Sequence, residues 1–192
     1  MTQFEIIWRD RFGLVPPVGY RLRDSSRGSW IRFHASPKSK RYAEHDEERS
    51  VILSRANILA SELFEHHQPF WLVSSRVDEN LTDINFEPKK YVIRSRELPK
   101  LFNWSDLTEA PEDRIRWATY SKLFCWSANA FDDVFLKIAN DEDYGIIFAT
   151  PDMSSILAPY DGGFDVISTD TNLVETLRKK YPSWLSERED GL

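Results

Sequence analysis

The spacing of apolar residues divides the chain into helical and extended stretches. Phe4, Ile7, Trp8 and Phe12 recur at three and four residues, which predicts a helix capped by Thr2 and stopped at Gly13. Val15-Pro16-Pro17-Val18-Gly19 reads as a rigid connector, because two prolines fix φ and remove two donors. Tyr20-Arg21-Leu22-Arg23 and Trp30-Ile31-Arg32-Phe33-His34 alternate apolar and polar positions, the pattern of a β-hairpin turning through 24–29. Such a hairpin sets Arg21, Arg23 and Arg32 on one face and Tyr20, Leu22, Ile31 and Phe33 on the other. A long helix is expected over 44–66, where Val51, Ile58, Leu59, Leu63 and Phe64 keep helical spacing behind acid-rich first turns.

Further on, 70–74 reads as a strand behind Pro69, 77–90 as a polar loop and 91–93 as a short strand; alternation returns at 115–120. Residues 131–138 fit both templates. Phe131, Val134, Phe135 and Ile138 suit a helix, yet the strand is preferred, because a turn-rich Asn140-Asp141-Glu142-Asp143 follows and 145–149 would pair with it. Stretches 155–158 and 164–167 continue a meander. A last helix is expected over 172–185, capped by Asp170 or Thr171 and disturbed by Pro182. No repeat or linker divides the chain. The expectation is one α+β domain over 1–192: a mainly antiparallel sheet, a long central helix, and N- and C-terminal helices packed on it.

Composition adds limits. With 192 residues, 41% hydrophobic and 14% aromatic, the chain is long and apolar enough for a real core, which excludes a disordered protein. The single cysteine, Cys125, has no internal disulfide partner and, between Phe124 and Trp126, reads as a buried thiol. Met1-Thr2-Gln3-Phe4-Glu5 has no basic and apolar leader pattern, and apolar runs of about five residues fall far short of the roughly 20 needed to span a bilayer. A soluble, cytoplasmic protein with no membrane partner is expected.

Charge is sorted along the chain. Residues 9–41 hold nine Lys or Arg against two Asp, a net +7, which leaves −13 for the other 159 residues out of a total of −6. The negative total argues against nucleic acid as a general ligand. It is compatible with a local anion site at one end, and with an acidic body that meets a basic protein partner.

The first candidate site is the basic loop: Arg32, His34, Lys38, Ser39, Lys40 and Arg41, with Ser36 between. Three cations and several hydroxyls lead into a helix start, a setting for phosphate or carboxylate. The plainer account pairs those cations with Glu44, Asp46, Glu47 and Glu48. No Gly-x-x-x-x-Gly-Lys pattern supports a nucleotide. The second candidate is Pro159-Tyr160-Asp161-Gly162-Gly163-Phe164-Asp165, read either as a tight turn or, more sharply, as Asp161 and Asp165 forming a metal or general-base pair. His34, the histidine closest to the loop, is the candidate general acid or base. His66-His67 lack the i, i+4 spacing of a zinc helix. Trp30 and Tyr42 beside the cations allow base stacking, although core packing is commoner. No metal or cofactor is expected.

Arg11-Phe12-Gly13, Pro16-Pro17-Val18-Gly19-Tyr20, Arg32-Phe33-His34, Ser39-Lys40-Arg41-Tyr42-Ala43-Glu44, 159–167, Tyr181 and Trp184-Leu185-Ser186, in that order, resemble a group of bacterial proteins akin to domain of unknown function 3885. The resemblance brackets the chain outside 77–130. It implies a single domain and a bacterial source, and carries no activity.

Two function classes follow. The preferred one is a non-enzymatic binding or interaction protein, of adaptor or immunity type. It uses the basic loop for a phosphate-bearing or other anionic ligand, or the acidic body for a basic protein. The alternative is an enzyme acting on a phosphorylated or nucleic-acid substrate. There His34 is acid or base, Lys38, Lys40 and Arg41 hold phosphate, and Asp161 and Asp165 assist. That enzyme requires the loop and the Asp-Gly-Gly turn to meet at one concave site.

Overall fold

Helix α1, Gln3–Phe12, begins where the Glu5 N–H donates to Thr2 Oγ1 and ends at Gly13, whose φ of 63° and N–H to Arg9 O close the last turn. These are the start and stop read from the sequence. The computed structural model describes residues 1–23, 29–77, 92, 96–105 and 116–186. The remaining elements are α2 (Gly19–Arg23), β1 (Ser29–His34), α3 (Asp46–Leu63), β2 (Pro69–Val77), β3 (Lys100–Ser105), β4 (Arg116–Cys125), α4 (Asp132–Ala139), β5 (Ile146–Ala149), β6 (Ser155–Tyr160), β7 (Gly163–Ser168) and α5 (Thr171–Lys180).

All seven strands join one antiparallel sheet in the order β1-β7-β6-β5-β2-β4-β3. Alternation along each strand feeds two cores. Phe70, Leu72, Phe148, Leu157, Phe164 and Val166 point to one face, where Ile52 and Leu59 of α3, Phe135 and Ile138 of α4, and Leu177 of α5 cover them. Trp71, Val73, Ile147, Ile156 and Ala158 point to the other, beneath Phe4, Trp8 and Phe12 of α1 and Leu22 of α2. The α+β class is as expected, and the helix anticipated over 44–66 occupies Asp46–Leu63 on one face.

Several expectations are corrected. Tyr20–Arg23 is a helical turn rather than the first arm of a hairpin: Val18 O accepts from the Arg21 and Leu22 N–H groups at 3.0 and 3.3 Å. Leu22 is its one buried side chain, and a four-residue alternation is too short to outvote that turn. Strand β1 pairs with distant β7 instead. Residues 132–139 form α4 rather than a strand. Phe131, Val134, Phe135 and Ile138 all bury in the same core, and Asp132 and Asp133 suit the first turn. Cys125 is exposed, because the alternation that turns Phe124 toward the helices turns Leu123 and Cys125 the other way, at the end of β4. The last helix stops at Lys180, before Pro182, and Asp170 is its cap, accepting from the Asn172 and Leu173 N–H groups. The loop placed at 77–90 lies outside the described residues from 78 on, and Val77 belongs to β2. Of the short strand expected at 91–93 only Val92 is described, and it is helical, its carbonyl accepting from the Arg96 N–H at 2.9 Å.

Candidate functional site

The register of β1 on β7 places Arg32 opposite Asp165 and His34 opposite Gly163. Arg32 is held bidentately, Nε donating to Oδ1 at 2.7 Å and Nη2 to Oδ2 at 3.0 Å, with side chains 13% and 4% exposed. A second guanidinium approaches the same carboxylate. Arg23, on α2, has its Nε 3.8 Å from Asp165 Oδ2, too far for a hydrogen bond, and that Nε has no hydrogen-bond partner. Arg32 also lies 4.6 Å over the Tyr160 ring, and burial pushes the Tyr160 phenol up to about 12.

These groups line a cleft of about 360 Å³ between α2 and the sheet. Tyr20, Trp117, Tyr144 and Tyr160 form its aromatic walls. Gly19 lets α2 lie close, since a Cβ there would sit 2.8 Å from Ala158 Cβ. Among the lining residues, two arginines stand against one aspartate, leaving one net positive charge.

The basic loop is close by but differently arranged. Its backbone joins the Asp-Gly-Gly turn, the Ala35 N–H donating to Gly162 O at 3.0 Å. Lys40 Nζ donates to both Glu48 oxygens at 2.7 and 2.8 Å and lies 3.4 Å from Glu44. Those contacts raise the Lys40 pKa, and the Lys40 hydrogen bond, with the Glu44 N–H, lowers Glu48 to about 2. Arg41 pairs with Asp161, which Tyr42 Oη also reaches at 3.3 Å. Lys38, exposed at φ 57°, has no acidic partner among the described residues, and Ser39 follows at φ 55°. His34 lies at the end of β1, its carbonyl accepting from Arg55 Nη1 at 2.7 Å. Burial first, then Arg32 and Arg55, hold its imidazole below the usual range, so it is neutral at pH 7.

The loop and the Asp-Gly-Gly turn thus meet through the backbone. Of the residues that the enzyme reading needs at one concave site, however, only Asp165 lines this cleft; His34, Lys38, Lys40, Arg41 and Asp161 do not. Asp161 and Asp165 are also engaged by separate arginines, so neither stands as an unpaired base. Glu44 and Glu48 do pair with the loop; Asp46 turns to Arg49 instead. Among the described residues no group of three His, Cys, Asp or Glu is placed to hold a metal ion. Nor is any described helix long and apolar enough to cross a membrane. Sequence reasoning singled out Arg32 and Asp165 but missed their pairing, and it missed Tyr20, Trp117, Tyr144 and Tyr160 as walls. No local signal marks them, because the cleft is assembled from α2, β1, β4, the segment leading into β5, β6 and β7.

Fold and site together define an α+β protein with helices on both faces of one antiparallel sheet and a small aromatic, cationic cleft. The family model described as Domain of unknown function (DUF3885) matches residues 18–189, every element from α2 onward, and the chain belongs to that family. No curated protein and no solved structure matches the chain.

Proposed function

We infer that this is a non-enzymatic binding protein whose anionic ligand enters the cleft beside Arg23 and Arg32, rather than resting on the basic loop. The observation that carries the reading is the second guanidinium. Asp165 already satisfies Arg32 bidentately, so Arg23 brings a charge and donors that the protein leaves incompletely used, at the wall of a cleft. In the loop, by contrast, Lys40 and Arg41 have carboxylate partners of their own. An adaptor or immunity-type role suits a binding protein of this kind. The enzyme reading keeps one favourable observation, the backbone meeting of His34, the loop and the Asp-Gly-Gly turn, but its two aspartates are both ion-paired.

A thermal-shift titration tests this with phosphate, acetate and benzoate at constant ionic strength. It compares wild type, Arg23→Ala and the Lys38→Ala/Lys40→Ala/Arg41→Ala variant. A ligand at a hundred times its Kd adds about 2.7 kcal/mol, or roughly 5–11 °C for a chain of this size. The expected shift disappears in Arg23→Ala and survives in the loop variant. A shift lost only in the loop variant moves the site to the loop. No shift with any anion removes the anion site and leaves a protein partner as the ligand.

A further inference from the structure

We propose that the cleft selects a ring-bearing monocarboxylate: a flat aromatic or heteroaromatic acid, its carboxylate on Arg23 and its ring between Tyr20 and Tyr144. This rests on the cleft being the anion site and goes further, to the ligand's charge, shape and size.

Charge comes first. One net positive charge among the lining residues matches a single negative charge. A phosphate dianion would bring a second negative charge close to the Asp165 carboxylate, which already lies 3.8 Å from Arg23 Nε. A carboxylate is also the planar counterpart of a guanidinium fork, and Arg23 is the fork without a bidentate partner here.

The walls give the rest. Tyr20 and Arg23 stand three apart on α2 and so share a face of that turn, an aromatic ring beside a cation. Tyr20 and Tyr144 are 43% and 42% exposed, two large hydrophobic side chains left open to solvent on the lining of one cleft. Trp117 adds an indole as a further π surface in the wall, next to Tyr20 with ring centroids 6.5 Å apart. The volume, about 360 Å³, is that of about twelve waters at ~30 Å³ each. An isolated inorganic ion would leave nearly all of it wet, whereas a ring with its carboxylate displaces several of those waters and covers the tyrosines.

Isothermal titration calorimetry with benzoate and indole-3-carboxylate, against cyclohexanecarboxylate and inorganic phosphate, decides the matter. The aromatic acids should bind about threefold to tenfold tighter than the saturated ring, as ring–ring contacts allow. Arg23→Gln should weaken them about tenfold or more, and Tyr20→Ala should erase the preference over cyclohexanecarboxylate. Melting temperatures of the unliganded variants within about 2 °C of wild type exclude misfolding as the cause. Equal binding of cyclohexanecarboxylate overturns the ring preference, and tighter binding of phosphate overturns the carboxylate. In both cases the anion cleft itself stands, provided Arg23→Gln still abolishes binding. If no anion binds, or binding ignores Arg23, the cleft reading falls with the proposal.

Discussion

Among the described residues two Arg–Asp pairs are largely shielded from solvent, and they are put to opposite uses. Arg76 on β2 meets Asp143, both nearly sealed from solvent, and Asp143 also accepts from the Val92 and Tyr144 N–H groups at 2.8 Å each. That carboxylate is saturated by donors of its own chain and ties the segment before β5 to the sheet. Asp165 instead has one arginine firmly bound and a second standing just beyond hydrogen-bond reach, beside an open cleft. A buried carboxylate surrounded by its full complement of donors is architecture. A carboxylate outnumbered by guanidiniums leaves a charge for something else to meet.

The comparison breaks most readily at the sealed pair. Asp143→Ala leaves Arg76 buried without its carboxylate and strips two backbone donors of their acceptor. It should cost about 3–5 kcal/mol, read as a lower urea midpoint. Asp165→Ala should cost less, roughly 1–3 kcal/mol, because water in the cleft can reach Arg32. It should also raise affinity for anions, since two positive charges then stand unopposed in the cleft. Equal destabilisation by the two substitutions, with no change in anion affinity, would show both pairs to be architectural.

How much of this was legible beforehand follows from the range of each signal. The start and stop of α1, Thr2 and Gly13, and the Asp170 cap of α5 are written in adjacent residues and fall where the sequence puts them, whereas α5 ends at Lys180 rather than 185, ahead of Pro182. Strands β6 and β7 carry short apolar runs, broken in β7 by Asp165, on either side of a Gly-Gly turn, and they also read directly. Residues 131–138 failed because the helical set Phe131, Val134, Phe135 and Ile138 overlaps a stretch, 134–138, that also suits a strand, and only burial against a common face decides between them. Tyr20–Arg23 failed because one turn of helix and two residues of alternation look alike. The site was half visible. Arg32 and Asp165 drew notice as members of two motifs, but their pairing spans 133 positions and depends on register. Cys125 misled because apolar neighbours on a strand belong to opposite faces.

The smallest effect sharpens the contrast between cleft and loop. Glu48 is partly buried, its side chain 31% exposed, and its hydrogen bonds to Lys40 and the Glu44 N–H hold its pKa at about 2 against an ordinary 4.5. A depressed acid contributes stability that is present above its unfolded value and lost as pH falls through the folded one. The Glu48 contribution is therefore intact at pH 5, fades below about 4.5, and is gone once the pH passes about 2. Melting curves of wild type and Glu48→Gln, taken from pH 5 to pH 2, should lie apart at the upper end and converge at the lower. Because solvent still reaches about a third of both side chains, the gap should shrink in high salt. Anion binding at the cleft, measured at pH 5 and above on the same pair of proteins, should be unchanged. A Glu48→Gln variant that bound anions more tightly would show Lys40 released into a real site, and would return the loop to the centre of the function.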